Sequence, residues 1–206
     1  MDKAFWHDYN NINIYIGRIQ RQSLKAQMQD AMSYRNFRQD APGLNETEAW
    51  PKSVFPDADY TYFRDCGCLI CSLAVMLRHN GIEKTEDEEL FNPWILNRRL
   101  IDAGAFTSGA DLIFAEIRKL YPLEYMGSMP YSPELLEQTV KSGSPSLITV
   151  PGIRSEKHFI TPLSLISGDA VVFDPLSGEM NLREYGQIYE IRKFLRTDTS
   201  CDEKAV

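Results

Sequence analysis

The sequence predicts an α+β fold, with helices in the first part of the chain and antiparallel strands in the last part. Apolar side chains recur at helical spacing as far as residue 143, whereas runs of β-branched residues follow it. A chain of 206 residues with 43% hydrophobic side chains can bury one sizeable core. We therefore expect a helical extension at residues 1–45, one domain at residues 46–197 and a polar tail at residues 198–206.

Most of the chain before residue 143 is predicted to be helical. Apolar side chains recur at helical spacing over residues 12–38, and the prolines and acids of residues 41–60 indicate an irregular connection. A central, mostly buried helix is expected to begin at Cys68 and to end at Asn80-Gly81, a pair typical of helix ends. Further helices are predicted at residues 85–89, 92–100, 108–121 and 132–143, with Asn92-Pro93 and Ser132-Pro133 as starts of the second and fourth.

Strands are predicted in the last third of the chain. Residues 146–150, 158–166 and 170–173 are rich in β-branched and aromatic side chains, and Ser167-Gly168-Asp169 is typical of a hairpin turn. Residues 121–133 and 151–157 are expected to be loops that shape a substrate pocket.

Charge and cysteine content narrow the class of partner. A net charge of −7 disfavours nucleic acid and anionic membranes as main partners, because both would repel the chain. The first residues do not match a signal peptide, and no apolar run is long enough for a membrane span. Three of the 4 cysteines lie within residues 66–71, a spacing unlike a disulfide framework. We expect a cytoplasmic protein with free thiols.

The residues around Cys68 predict a nucleophile. A thiol attacks as a thiolate, which a helix N-terminus and a nearby imidazolium both stabilise. Cys68 follows Gly67 at a predicted helix start, so its backbone N–H could stabilise an oxyanion. His158 opens a predicted strand and Asp174 ends the next one, as a base and its orienting carboxylate would. The residues predict a Cys-His-Asp triad in that chain order.

These residues, with their neighbours, resemble the papain-like cysteine peptidases related to bacteriocin-processing, double-glycine-leader peptidases. The resemblance covers roughly residues 50–195 and implies a papain-like fold with a helical half that carries Cys68 and an antiparallel sheet half that carries His158 and Asp174. It implies no cofactor and no metal, and a peptide or protein as substrate. The matching segments are Gly67-Cys68-x-x-x-Ser72-Leu73-Ala74, Met76-Leu77, Gly81-Ile82, Asn92-Pro93, Asn97, Leu100, Gly104, Phe106, Gly143 to Ile148, His158-Phe159 and Asp174-Pro175.

One position departs from that resemblance. Papain-like enzymes often carry a glutamine about six residues before the nucleophile as an oxyanion donor, and Tyr62 occupies this place here. The Tyr62 hydroxyl and the Cys68 backbone N–H are the oxyanion candidates.

Each residue also has a plainer interpretation. Cys68 could be a small buried side chain, His158 a satisfied strand histidine and Asp174 part of a turn. Cys66-x-Cys68-x-x-Cys71 could hold a metal if Cys201 or a distant histidine were the fourth ligand.

Three functions follow from these readings. The first is a thiol hydrolase that cleaves a peptide or amide bond. The second is a transglutaminase-like acyl transferase, although the ninety-residue separation of Cys68 and His158 argues against it. The third is a non-catalytic interaction protein on a papain-like fold, with residues 1–45 as a possible protein-binding arm.

Overall fold

The computed structural model describes residues 34–82, 91–152 and 156–197. The chain divides into two compact units, residues 1–35 and residues 36–206. The division lies ten residues before the predicted boundary at residue 45, and Phe37, Ala41 and Leu44 of the intervening segment are buried. Most of the predicted helix at residues 12–38, the helix at residues 85–89 and most of the tail lie outside the described residues.

Four α-helices are present in the described residues. The polar side chains before the last two explain where these helices begin. Asn92 Oδ1 accepts from the N–H of Ile95 at 3.0 Å, and Ser132 Oγ accepts from the N–H of Leu135 at 3.1 Å. Both caps precede a proline in the first turn, as predicted. The helices are α1 (Phe63–Cys66), α2 (Cys68–His79), α3 (Pro93–Asp102) and α4 (Pro133–Lys141).

The helix predicted at residues 108–121 is wrong for its first half. A turn replaces it, in which Ala110 has a left-handed φ of 65° and Thr107 Oγ1 accepts from the N–H of Asp111 at 3.1 Å. This local hydrogen bonding competes with helix formation, so the apolar spacing does not decide the structure. A 3-10 helix, Phe114–Lys119, follows the turn.

In the described part of the chain, six strands form one sheet of antiparallel pairs, in the order β1-β6-β2-β3-β4-β5. The three predicted strands are present, and the hairpin between β3 and β4 turns through Ser167 and Gly168, both with positive φ. The prediction of a loop at residues 121–133 is wrong, because β1 occupies most of it. The strands are β1 (Leu123–Pro130), β2 (Ser146–Pro151), β3 (Lys157–Ile166), β4 (Asp169–Asp174), β5 (Gly178–Asn181) and β6 (Glu190–Arg196).

Helix α2 is the centre of the core, and every residue from Ile70 to Leu77 is buried. Ser72 bonds it to β3 twice, since its hydroxyl donates to the carbonyl of Phe159 and its own carbonyl accepts from Thr161 Oγ1, both at 2.7 Å. Further along, His79 Nε2 lies 2.8 Å from the carbonyl of Leu163. Helix α2 therefore runs along β3 in the same direction, which places Cys68 where β3 begins.

A second apolar cluster joins α4 to the sheet. Leu136 packs there with side chains from four strands, among them Val150, Ile160, Val172 and Ile191. The sheet is therefore held by α2 through hydrogen bonds and by α4 through apolar packing.

Within the described ranges, no helix is long and apolar enough to cross a membrane.

Candidate active site

Gly67 lies between the end of α1 and the start of α2, directly before Cys68. Gly67 has helical dihedrals, φ −75° and ψ −2°, and its N–H donates to the carbonyl of Phe63 at 2.7 Å. A Cβ at this position would lie 2.6 Å from both Cδ1 and the carbonyl oxygen of Phe63. Because real Cβ atoms do not approach so closely, only glycine fits here without a rearrangement. The residue that precedes Cys68 therefore carries no side chain.

Cys68 is the first residue of α2, and its thiol is free and half-buried. The first N–H groups of a helix have no acceptor inside that helix, and together they carry a partial positive charge. An anion that forms at the Cys68 sulfur or beside it is stabilised by this charge.

His158 and Asp174 form a buried pair beside Cys68. Their Nε2 and Oδ1 atoms are 3.0 Å apart, and the two side chains are only 8% and 6% exposed. Asp174 Oδ1 also accepts from the N–H groups of Leu176 at 2.6 Å and Ser177 at 3.3 Å, and Asp174 Oδ2 accepts from the Tyr185 hydroxyl. These donors fix the carboxylate, which in turn fixes the imidazole ring.

The pKa values of the pair indicate how it is charged. Burial lowers the pKa of His158, but hydrogen bonds to Asp174 and Cys68, together with the charges of both groups, raise it to about 9. Burial raises the pKa of Asp174, yet the hydrogen bond and charge of His158 and the hydrogen bonds from Tyr185 and Leu176 hold it below its usual value. At neutral pH the pair is therefore an imidazolium and a carboxylate.

Cys68 lies close enough to His158 to raise the pKa of the imidazole, so the three predicted residues come together. Because Asp174 is hydrogen-bonded to Nε2 of the His158 ring, Nδ1 is the ring nitrogen that is available to the Cys68 thiol. The structure thus joins residues that lie about ninety and sixteen positions apart in the chain.

Tyr62, the other oxyanion candidate, is the N-cap residue of α1. Its side chain is 37% exposed, and the guanidinium of Arg64 lies 5.0 Å from its ring centre. Within the described part of the chain, no hydrogen bond joins its hydroxyl to Cys68, His158 or Asp174. Its role as an oxyanion donor stays a prediction.

The two neighbouring cysteines differ from Cys68. Burial raises the pKa of the Cys66 thiol, which donates to the carbonyl of Tyr62 at 2.9 Å. Burial also raises the pKa of Cys71, a fully buried residue. Residues 34–82, 91–152 and 156–197 contain no group of three or more His, Cys, Asp or Glu side chains arranged to hold a metal ion, and Cys201 lies outside these ranges.

Two residues of the site were not predicted. Tyr185 holds Asp174, as described above, and Gln39 connects helix α1 to the residue after Asp174. The N–H of Gln39 donates to the carbonyl of Pro175 at 3.0 Å, and its Nε2 donates to the carbonyl of Arg64 at 2.7 Å. Its side chain is buried, and Oε1 has no hydrogen-bond partner among the residues that the structure describes. No local sequence signal marks either residue, since both act through tertiary contacts.

Neither a protein-family model nor a curated protein matches this chain. The chemistry of Cys68, His158 and Asp174 therefore has to be argued from their geometry.

Proposed function

We propose that this protein is a cysteine hydrolase that cleaves a peptide or amide bond in a peptide or protein substrate. Cys68 is the nucleophile, His158 the general acid and base, and Asp174 the residue that orients His158. One observation carries the proposal: a buried imidazolium–carboxylate pair contacts a thiol at the first residue of a buried helix. A structural histidine or cysteine would not need this combination.

The proposed reaction begins with a Cys68 thiolate beside the His158 imidazolium. The sulfur attacks the carbonyl carbon, and the negative charge moves to the carbonyl oxygen, where the Cys68 N–H and the start of α2 stabilise it. His158 then donates its proton to the amine as the C–N bond breaks, which leaves a thioester on Cys68. Neutral His158 next takes a proton from water, whose oxygen attacks the thioester carbon; the C–S bond breaks, the acid is released, and the Cys68 thiolate and His158 imidazolium are restored.

Asp174 makes this cycle repeatable because it holds His158 by Nε2 through every step. Nδ1 then stays directed at the sulfur and at the leaving group. Tyr185 and the backbone donors keep Asp174 ionised, so it stabilises the imidazolium without taking its proton.

The proposal also includes a papain-like relationship and a cellular location for the protein. Chain order supports the relationship, as does a buried helix with Cys68 against an antiparallel sheet with His158 and Asp174. We further propose a reducing, cytoplasmic location, which would keep the thiols free, and a protein-binding or docking role for residues 1–45.

Alkylation with iodoacetamide at mildly acidic pH, followed by peptide fragmentation, tests the nucleophile. Cys68 should label first, and the His158→Ala variant should lose this preference. His79→Gln is the matched histidine control, because His79 Nε2 lies beside the carbonyl of Leu163, in the half of β3 that does not contain His158. First labelling at Cys66 or Cys71 would refute the assignment.

Hydrolysis is tested with a library of quenched fluorescent peptides. Turnover should vanish in Cys68→Ala and in His158→Ala, while far-UV circular dichroism shows that both variants are folded. A Cys68→Ala protein with full turnover would end the hydrolase proposal. Transfer of the acyl group to an added amine in preference to water would instead identify an acyl transferase.

A further inference from the structure

We propose that Cys68 and Cys71 are a dithiol that hydroperoxides oxidise to a disulfide across the first turn of α2. The oxidation itself does not depend on hydrolase activity. Its consequence, reversible loss of turnover, rests on the proposed function because the disulfide consumes the nucleophile.

Helix geometry pairs Cys68 with Cys71. Residues three apart on a helix lie on the same side, with Cβ atoms about 5–6 Å apart, whereas residues two apart do not face each other. A disulfide needs Cβ atoms about 3.5–4.5 Å apart, a change that the first turn of a helix can absorb. Cys66 is two residues before Cys68, and its sulfur is bound to the carbonyl of Tyr62. Cys71 is therefore the better partner.

Cys68 and Cys71 differ in burial, and therefore in the reaction that each thiol can undergo. Cys68 is partly accessible and contacts His158, so it is the thiol that an oxidant reaches first. Cys71 is fully buried and interacts electrostatically with Cys68. It can attack only a sulfur that is already beside it, which makes it a resolving thiol for Cys68 and a poor target for peroxide in solution.

The chemistry takes two steps. The Cys68 thiolate attacks one oxygen of the hydroperoxide, an S–O bond forms, the O–O bond breaks, and the departing alkoxide or hydroxide takes a proton from His158 or water. Cys68 is now a sulfenic acid and the peroxide is reduced to an alcohol or water. The Cys71 sulfur then attacks Cys68, the S–S bond forms, and the released hydroxide takes the Cys71 proton as water.

The second step competes with further oxidation. A sulfenic acid that meets more peroxide becomes a sulfinic acid, which thiol reductants do not restore. Burial raises the pKa of Cys71 and slows its attack, but its fixed position next to Cys68 gives it a high effective concentration. Oxidised protein should therefore accumulate as disulfide and recover with dithiothreitol.

The test treats the reduced full-length chain with hydrogen peroxide and measures intact mass and free thiols. Wild type should lose the mass of two hydrogens, and fragmentation should place the bond between positions 68 and 71. Cys66→Ser should form the same disulfide. Cys71→Ala should instead show dimedone-trapped sulfenic acid and, with more peroxide, sulfinic acid that dithiothreitol does not reverse.

Three results would overturn the proposal. They are a wild-type bond between positions 66 and 68, direct conversion of Cys68 to sulfinic acid, and no oxidation of Cys68 at all. The wild-type fragmentation decides among these even if Cys71→Ala fails to fold. Mass and turnover also separate the two proposals: a disulfide without any hydrolysis leaves this one standing, and hydrolysis without a disulfide defeats this one alone.

Discussion

Replacing Asp174 with asparagine is expected to lower the pKa of His158 from about 9 toward its ordinary value of 6.5. Asparagine can still bond to Nε2, but it carries no charge to stabilise the imidazolium. The burial of His158 would then oppose protonation with less compensation. The share of imidazolium at neutral pH should fall, and labelling of Cys68 by iodoacetamide should fall with it.

The size of the effect follows from the two pKa values of His158. The difference between about 9 in the folded protein and 6.5 in the unfolded chain corresponds to about 3 kcal/mol. Since the folded state holds the proton more tightly, this contribution is fully present below pH 6.5. It is lost as pH rises through about 9.

Two measurements check this expectation. Urea unfolding from about pH 6 to about pH 10 should show wild type losing about 3 kcal/mol more than His158→Gln. The chain has 3 histidines, so NMR titration of the ring protons assigns the His158 signal by its absence from His158→Gln. A wild-type His158 that titrates near 6.5, or an Asp174→Asn variant that still titrates near 9, would refute the reasoning.

Three further substitutions test the contacts around the site. Tyr185→Phe should lower the free energy of unfolding by about 2 kcal/mol in urea, because a carboxylate loses a donor; an unchanged midpoint argues against that bond. Gly67→Ala should cost about 1–3 kcal/mol, because its Cβ meets Phe63, whereas Gly186→Ala, with nothing within 4 Å, should not. Thr161→Val should cost about 1 kcal/mol by thermal unfolding, and no loss would rule out the bond as a stabiliser.

Local signals account for what the sequence predicted well. The apolar run after Cys68 and the caps at Asn92 and Ser132 determine structure within a few residues, so α2, α3 and α4 were predictable. The β-branched runs predicted β2, β3 and β4 for the same reason. Cys68, His158 and Asp174 were candidates because each sits at the start or end of such an element.

Tertiary contacts account for what was missed. Strand β1 is an edge strand with exposed alternate residues and contains Gly127 and Pro130, so its composition gives a weak strand signal. It forms because β6 supplies hydrogen-bond partners from about seventy residues away. Gln39 and Tyr185 contact the site only after residues distant in the chain have come together, and no spacing or composition records this.

The bonds between α2 and β3 have a consequence for protein synthesis. Ser72 meets Phe159 and Thr161, which are 87 and 89 residues further along the chain, and Asp174 follows them. A ribosome-bound chain therefore completes α2 long before it contains the imidazole and carboxylate that would activate its thiol. Since contacts of such long range form late in folding, the proposed activation of Cys68 would have to wait until the strands that carry His158 and Asp174 have been synthesised and have paired.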